Sequence, residues 1–295
     1  MFLMLPSGLG PWGSIIHMGD RMGHISNPVA DAVLDVKYPI LDEYGFVSLV
    51  DYMGGDHRIA EAAWVSSMDE VAAEKKSEAA VRRIINYMMA NKHSSPFEQT
   101  ELTFRCKMPI FVARQWIRTR TASVNEMSGR YRILPTEYYI PKPERLQGKG
   151  KINKQGSEGE LTDDIKRMII EDMREEAHSS FCSYAWYDRV GLANEVARMG
   201  LPLQAYTEWY WKIDLHNFFH FTSLRLHPHA QWEIQQYAIK MYELAKLVAP
   251  TACEAFEEHR LHAVTLSRSK VAKLRDLIAS VLSTSAADVL KDLGL

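Results

Sequence analysis

Residues 102–108, LTFRCKM, carry an apolar side chain at every second position, with polar residues between them. This period of two predicts a β-strand with one buried and one solvated face, because successive side chains of a strand point to opposite sides. Residues 46–53, FVSLVDYM, show a similar alternation and predict a second strand, which ends at the Gly54-Gly55-Asp56 turn. A half-buried strand needs a sheet and a layer that covers it, so the chain is not an all-helical bundle.

Most of the other regular segments have apolar residues spaced three or four apart, which is typical of amphipathic helices. This spacing predicts two helical pieces within 57–92, separated by the charged segment 67–78, and one helix in each of 110–118, 161–189 and 230–248. The aromatic-rich residues 206–224 predict a further helix. A weaker helix is predicted over 268–292 and a short one within 28–36. The sequence therefore predicts a helix-rich α+β fold.

The chain divides into three parts by composition. Residues 1–42 are rich in Gly and Pro and are interpreted as a partly irregular N-terminal extension. Residues 43–262 hold the regular pattern and are interpreted as one catalytic domain. Within it, 147–160 has no aromatic residue and many Gly, Lys and Glu, which is typical of a flexible insertion. Residues 263–295 are interpreted as a C-terminal helical tail.

Charge and cysteine content exclude several classes of protein. Thirty-five Lys and Arg against thirty-seven Asp and Glu give a net charge of −2, which argues against a broadly basic nucleic-acid-binding surface. No apolar run approaches the length of about 18 residues that a transmembrane helix needs. Three scattered cysteines outside any CxxC spacing favour neither a disulfide framework nor a zinc site. They fit a reducing, cytoplasmic compartment.

Positive charge is concentrated between Arg114 and Arg132, where five arginines accompany a single acid, Glu126. The planar donor fork of arginine suits phosphate, and Ser128-Gly129 could offer backbone N–H groups to an anion. A solvated arginine-rich turn or structural ion pairs would explain the same composition.

Two further segments carry candidate functional residues. In HSSPFE (93–98), the Ser-Ser-Pro sequence indicates a turn or a helix start. In 214–237, four histidines lie within fourteen residues, and His216 and His220 are spaced to share a metal ion on a helix. A metal site is disfavoured because no acid lies between them and Arg225 is close. A basic, aromatic-walled pocket for a phosphorylated planar ligand fits better, although the phenylalanines could simply belong to a core helix.

Together these segments resemble the flavin-dependent thymidylate synthases. That family carries an Arg-His-Arg motif followed, after seven residues, by Ser, and this chain has Arg118-Thr119-Arg120 and Ser128 at that spacing. The resemblance covers about residues 45–260 in the family's order. It includes RQW, ASVNEMSGRY, YIPKPERL (139–146), HSSPFE, EVAR to LPL (195–203) and SLRLHPHAQWEIQQYA (223–238).

One position departs from the family pattern. Thr119 stands where the family usually has His, which removes an aromatic, titratable group from the flavin-binding motif. Both flanking arginines and a hydroxyl remain, so we expect flavin binding to persist. The alternative is a homologue that binds flavin and nucleotide without turnover.

The resemblance implies a fold with a central, mostly antiparallel sheet and a methyltransferase reaction. In that reaction dUMP becomes dTMP, 5,10-methylenetetrahydrofolate supplies the one-carbon unit, and FAD reduced by NADPH supplies the hydride. No metal and no enzyme cysteine are required. The resemblance also implies a homotetramer whose active sites are shared between subunits, with neither nucleic acid nor membrane as a partner.

Site residues follow from the same resemblance. It implies that Arg225 lies beside the uracil ring and stabilises negative charge at N3 and O4, and that Arg130 binds the phosphate. Arg198 would be a second phosphate or base contact from another subunit, and Ser128 would bind substrate, since no base is spaced to activate it. The implied dUMP residues are Gln115, Trp116, Ile117, Arg118, Glu126, Met127, Ser128, Gly129, Arg130, Arg198 and Arg225. The implied FAD residues are Ser95, Glu98, Arg118, Thr119, Arg120, Glu126, Asp214, His216 and His220.

Overall fold

The fold is known from a computed structural model that describes residues 26–66, 77–150 and 156–281. Its centre is a five-stranded antiparallel sheet with the strand order β1-β2-β3-β5-β4. Both strands predicted from alternation are confirmed, and the sheet is antiparallel as the family resemblance implied. The strands are β1 (Tyr38–Pro39), β2 (Phe46–Met53), β3 (Glu101–Pro109), β4 (Ser123–Glu126) and β5 (Tyr206–Asp214).

The helix predicted over 206–224 is wrong in its first nine residues, which form β5. Trp209, Trp211 and Ile213 alternate with more exposed residues, and β5 pairs with β3 along its whole length. Bulky aromatic residues suit a pleated, half-buried surface, so the period of two prevails over the apparent helical run. Strand β4 was also not predicted, because its short polar sequence favours a loop.

Helices form largely where the spacing of apolar residues predicted them, in 57–92, 110–118, 161–189 and 230–248. The break at 67–76 lies outside the described residues. So does the end of the predicted 268–292 helix, while 28–36 forms only one helical turn. The helices are α1 (Pro28–Asp31), α2 (Asp56–Val65), α3 (Glu78–Ala90), α4 (Ile110–Trp116), α5 (Asp163–Arg189), α6 (Asn194–Ala197), α7 (Leu215–Arg225), α8 (Trp232–Val248), α9 (Pro250–Phe256) and α10 (Arg268–Val281).

The main core lies between the sheet and helices α2, α3, α7, α8 and α9, and it is rich in aromatic rings. Trp116 stacks on Phe221 with ring centroids 5.2 Å apart and meets Trp211 edge-on at 5.5 Å. Ala30 and Ile40, from the described part of the N-terminal extension, belong to the same core. Within the described ranges no helix is both long and apolar enough to cross a membrane.

Candidate functional site

A hydrogen-bonded group of three residues joins the ends of three helices. Arg225, the last residue of α7, donates from Nη2 to the main-chain carbonyl of Gln115 on α4 at 2.7 Å. The Gln115 side-chain amide donates in turn to the side-chain oxygen Oε1 of Gln231, the N-cap residue of α8. The structure therefore brings two predicted substrate residues, Gln115 and Arg225, into contact and adds Gln231 to them.

Arg225 has unmet hydrogen-bonding capacity. Its Nε is buried and has no hydrogen-bond partner among the described residues, although the whole side chain is only half-buried. Burial lowers the pKa of its guanidinium, because desolvation disfavours the charged form. A buried donor without a partner is costly in a folded protein, so this guanidinium is suited to a ligand with acceptor oxygens.

The aromatic core supports this group from below. Trp116 is fully buried between Phe221 and two tryptophans of β5. Its side chain is therefore part of the packing beneath the site, and only its main chain could reach a ligand there. Close packing of large rings holds the neighbouring Gln115 in a fixed place.

The three residues Arg118-Thr119-Arg120 form the turn after α4. The Thr119 amide donates to the Trp116 carbonyl at 2.9 Å, and both arginine side chains are exposed, as is Ile117. Across the described ranges, no carboxylate lies within ion-pairing distance of Arg118 or Arg120. This argues against structural ion pairs as the explanation for these two arginines.

The predicted phosphate-binding loop forms a second group. Gly129 is buried, and a Cβ added to it would lie 3.3 Å from Cδ of Arg198, so Arg198 packs against this loop of its own chain. Arg130 lies 3.5 Å from the Glu195 carboxylate, and its amide donates to Ser128 Oγ at 3.3 Å. Two arginines thus flank the Ser128-Gly129 main chain.

Residues at the edge strand lead into that loop. Glu126 pairs with Trp209 across β4 and β5, and its carboxylate accepts a hydrogen bond of 2.6 Å from the Thr207 hydroxyl. The Met127 amide donates to the Glu208 carbonyl at 2.8 Å. These bonds hold Glu126 and Met127 against β5 and so fix the main-chain direction just before Ser128.

The predicted flavin residues on α7 border a cavity of about 210 Å³. Asp214 caps the helix: its carboxylate accepts bonds from the Asn217 amide at 2.9 Å and from the Asn217 side chain at 2.6 Å. His216 and His220 lie one turn apart and line the cavity together with His93. Ser95 and Glu98 are exposed on the neighbouring turn, whose Phe97 is buried.

Helix α7 connects the cavity to the first group. Arg225 lies nine positions after His216, which corresponds to about 13.5 Å along a helix. The predicted phosphate-binding loop is not bonded to this group: in the described part of the chain no hydrogen bond or ion pair joins Arg130 or Arg198 to Arg225 or Gln115.

Several contact residues were not predicted from the sequence. Gln231 and Glu195 lie within the motifs that resemble the family. Only tertiary contacts show that Gln231 bonds to Gln115 and that Glu195 lies beside Arg130. A second cavity, of about 590 Å³, adjoins Gln231 and is bordered by Tyr139, Lys142 and Arg145. Its volume is in the range of small-molecule sites.

Comparison with known proteins places this arrangement in a family. Residues 48–251 match the family described as thymidylate synthase complementing protein. The flavin-dependent thymidylate synthase of Treponema denticola is 44% identical over 247 residues, which are 83% of this chain and 91% of that protein. An enzyme of the same name from Thermus thermophilus is 47% identical over 257 residues, 87% of this chain and 90% of that one.

A solved structure has the same fold. The UMP/dUMP methylase PolB from Streptomyces cacaoi, bound with 5-Br dUMP, superposes with a TM-score of 0.68 at 31% identity. The match covers 75% of this chain and 97% of that one. On these similarities the chain belongs to the flavin-dependent thymidylate synthase family.

Proposed function

We propose that this protein is a thymidylate synthase that methylates dUMP to dTMP with the help of a flavin. In this proposal 5,10-methylenetetrahydrofolate supplies the one-carbon unit and NADPH is the reductant, with tetrahydrofolate released. The observation that carries the proposal is Arg225, a half-buried cation that bonds to Gln115 and keeps a buried Nε without a partner among the described residues. Such a group suits the acceptor oxygens of a uracil ring.

Arg225 would act electrostatically on the bound pyrimidine. Negative charge builds at N3 and O4 of the uracil as C5 becomes nucleophilic, and a fixed guanidinium at that edge stabilises it. Arginine takes no proton in this step, because it stays charged even where burial lowers its pKa. The bond to the Gln115 carbonyl holds the guanidinium in place before the substrate arrives.

The phosphate of dUMP would bind at the loop formed by Ser128, Gly129, Arg130 and Arg198. Arg130 and Arg198 flank the Ser128-Gly129 main chain there, and two guanidinium groups suit a dianion. Among the described residues no hydrogen bond or ion pair joins this loop to Arg225 of its own chain, and we propose that each active site combines the loop of one subunit with the Arg225 of another. That arrangement requires an oligomer, and we propose a homotetramer.

The α7 cavity, lined by His216 and His220, would hold one end of a flavin dinucleotide such as FAD. His216 and His220 offer ring donors beside an aromatic floor, while Arg118 and Arg120 are exposed and unpaired in the described chain and suit the pyrophosphate. Ser95, Glu98, Thr119, Glu126 and Asp214 would complete the site. When bound, the flavin supplies the hydride for the methylation.

No cysteine of the chain is placed to act as the nucleophile. Cys106 and Cys253 are buried in the core, and Cys182 is exposed on α5, outside the described site groups. The chemistry therefore rests on charge stabilisation and not on a covalent enzyme–pyrimidine bond. All three cysteines are free, which supports action in the cytoplasm.

One assay tests the proposal directly. The purified protein, loaded with FAD, should be yellow, lose its flavin absorbance on addition of NADPH, and form dTMP from dUMP and methylenetetrahydrofolate. UMP should be tested in parallel, because the solved relative is a methylase of both nucleotides. A flavin-loaded protein that binds dUMP but forms no product would instead support the non-catalytic homologue.

A further inference from the structure

The cavity beside α7 has cationic and histidine side chains at its rim and no acid among the described residues that line it. Its floor is apolar: Phe219 stacks on Phe256 with centroids 4.4 Å apart, and Phe97 meets Phe219 at 6.3 Å. The charged side chains at its rim are Lys92 and Arg260. The proposed flavin residues His216 and His220 account for one side of this rim but leave both cations unassigned.

Lys92 occupies a backbone position that normally favours glycine. Helix α3 ends in a Schellman motif, in which the His93 amide donates to the Met88 carbonyl at 2.9 Å and the Lys92 amide donates to the Met89 carbonyl at 3.3 Å. Lys92 is the left-handed residue of this motif, with φ of +62°. A lysine incurs a conformational cost there that glycine would not, and such costs cluster at functional positions.

Arg260 also lies in an irregular backbone segment. Residues Glu257–Leu261 form a single π-helical turn, closed by a bond of 3.0 Å from the His262 amide to the Glu257 carbonyl. Lys246 pairs with Glu257 at 2.5 Å, and the His259 ring bonds to Asn86 on α3 at 3.2 Å. π-Turns inside helical segments are frequent at functional sites, and this one is anchored on both sides.

Two unusual backbone segments therefore each place one cation on the rim of the same small cavity. Across the described ranges, neither Lys92 nor Arg260 has a carboxylate within ion-pairing distance. Two cations beside an aromatic floor favour a ligand that combines a ring with an oxyanion, since charge-assisted bonds to an anion are the strong ones. The cavity is too small for a whole dinucleotide, so only one end of a ligand would enter it.

We infer that Lys92 and Arg260 form an oxyanion-binding rim for one of the ligands of the proposed reaction. The inference rests on the proposed function for the identity of those ligands. The shared chemistry is a carboxylate or phosphate on an aromatic molecule, and two sources supply it. These are the glutamyl carboxylates of the folate and the 2′-phosphate of NADPH, because the pyrophosphate of FAD is assigned to Arg118 and Arg120.

The test uses the full-length protein and the variants Lys92→Gly, Arg260→Gln and their combination. Equilibrium dissociation constants are measured by fluorescence titration for FAD with the apoprotein, and for NADPH, NADH and methylenetetrahydrofolate with one or three glutamates. Loss of each cation should weaken binding of one ligand by about tenfold. A larger loss for the triglutamate or a loss of preference for NADPH over NADH identifies the source, whereas a loss confined to FAD would contradict the inference.

Stability supplies an independent readout. Lys92→Gly relieves the left-handed backbone, so its thermal unfolding midpoint should rise by about 2 °C while ligand binding weakens. Asp35→Gly is a matched control, because Asp35 also has a positive φ, of +60°, and is not among the residues that line the cavity. Arg83→Gln, on the exposed surface of α3, controls for loss of positive charge.

Unchanged dissociation constants for every ligand in a folded double variant would overturn the inference. The binding titrations need no turnover. The titrations can therefore be interpreted even if the wild-type protein forms no dTMP. A lack of dTMP would count against the proposed function and not against the inference about Lys92 and Arg260.

Discussion

The guanidinium of Arg225 donates to the Gln115 carbonyl at 2.7 Å, while its Nε is buried without a partner among the described residues. The Nη2 atom of Arg225 thus holds the guanidinium in place, and its Nε is left for a ligand. Replacing Arg225 with Ala should lower kcat for dTMP formation by about 10²- to 10³-fold, as for loss of a preorganised donor elsewhere. Flavin affinity should stay within about twofold of the wild type, because His216 and His220 are untouched.

The Arg225→Lys variant distinguishes the effect of the positive charge from that of the planar arrangement of guanidinium donors. Lysine keeps the positive charge but lacks the planar fork whose separate N–H groups reach Gln115 and the pyrimidine together, so we expect only partial recovery, to about a tenth of the wild-type rate. Steady-state kinetics with dUMP measure both variants. Wild-type rates in the alanine variant would remove Arg225 from the site.

The turn after α4 offers a gain-of-binding prediction. Thr119 is half-buried between two exposed arginines, and its amide is already bonded to the Trp116 carbonyl. Thr119→His therefore keeps the turn and adds the ring that the family usually has there. FAD should bind as tightly as in the wild type or more tightly, by fluorescence titration, and Thr119→Val is the control that lacks the hydroxyl. Weaker binding in the histidine variant would mean that this turn has diverged from the family geometry.

The cap of α7 predicts a measurable loss of stability. Asp214 accepts the Asn217 amide bond at 2.9 Å, so Asp214→Ala should reduce the free energy of unfolding by about 1 kcal/mol. Asp214→Asn keeps a capping oxygen and should stay within about 0.3 kcal/mol of the wild type. Urea unfolding monitored by circular dichroism measures both. Equal losses in the two variants would show that the charge of Asp214, and not its cap, matters.

Local patterns in the sequence predicted strands and helices well where the apolar residues followed a single spacing, either every second residue or every third to fourth. Strand β3 follows from strict alternation, and helices α5 and α8 follow from regular three- and four-residue spacing. Strand β5 was mistaken for helix because nearly every residue of its YTEWYWKID segment is large, so the alternation becomes clear only when β3 pairs with it.

The candidate site residues could be predicted only where they lie in motifs that resemble those of the family. Gln115 and Arg225, far apart in sequence, were both assigned to the substrate and are hydrogen-bonded in the structure. Trp116, assigned with them, is fully buried, since a motif match does not separate residues that contact a ligand from residues that pack beneath it. Gln231 and Lys92 depend on tertiary contacts and on one backbone angle, which no local pattern encodes.

The cysteines predict a simple labelling pattern. Cys182 is exposed, whereas Cys106 and Cys253 are buried, and burial raises the pKa of both buried thiols. At a pH of about 8.5, near the ordinary thiol pKa, iodoacetamide should therefore add about one label to the native protein and three after unfolding in urea. Intact-mass spectrometry counts the labels. The singly labelled protein should keep its activity, and loss of activity on labelling would contradict a reaction that needs no thiol.

The final prediction concerns the ion pair that anchors the start of α8. Arg145 donates from Nε to the Glu233 carboxylate at 2.7 Å and from Nη2 at 3.3 Å, and Glu233 is only 3% exposed. Removing one partner of a buried pair leaves an uncompensated charge, so Arg145→Met should reduce the free energy of unfolding by about 3 kcal/mol.

A double-mutant cycle isolates this pair. Glu233→Gln should cost less than Arg145→Met, because the Arg145 side chain is 24% exposed and can remain hydrated. The double variant should be more stable than the sum of the two losses implies, by about 2 kcal/mol, whereas independent sites add to within about 0.5 kcal/mol. Additive losses in urea unfolding would mean that the pair is not coupled. Because Gln231 lies two residues before Glu233 and bonds to Gln115, the Arg145→Met variant should also raise KM for dUMP, and the double variant should recover part of that loss.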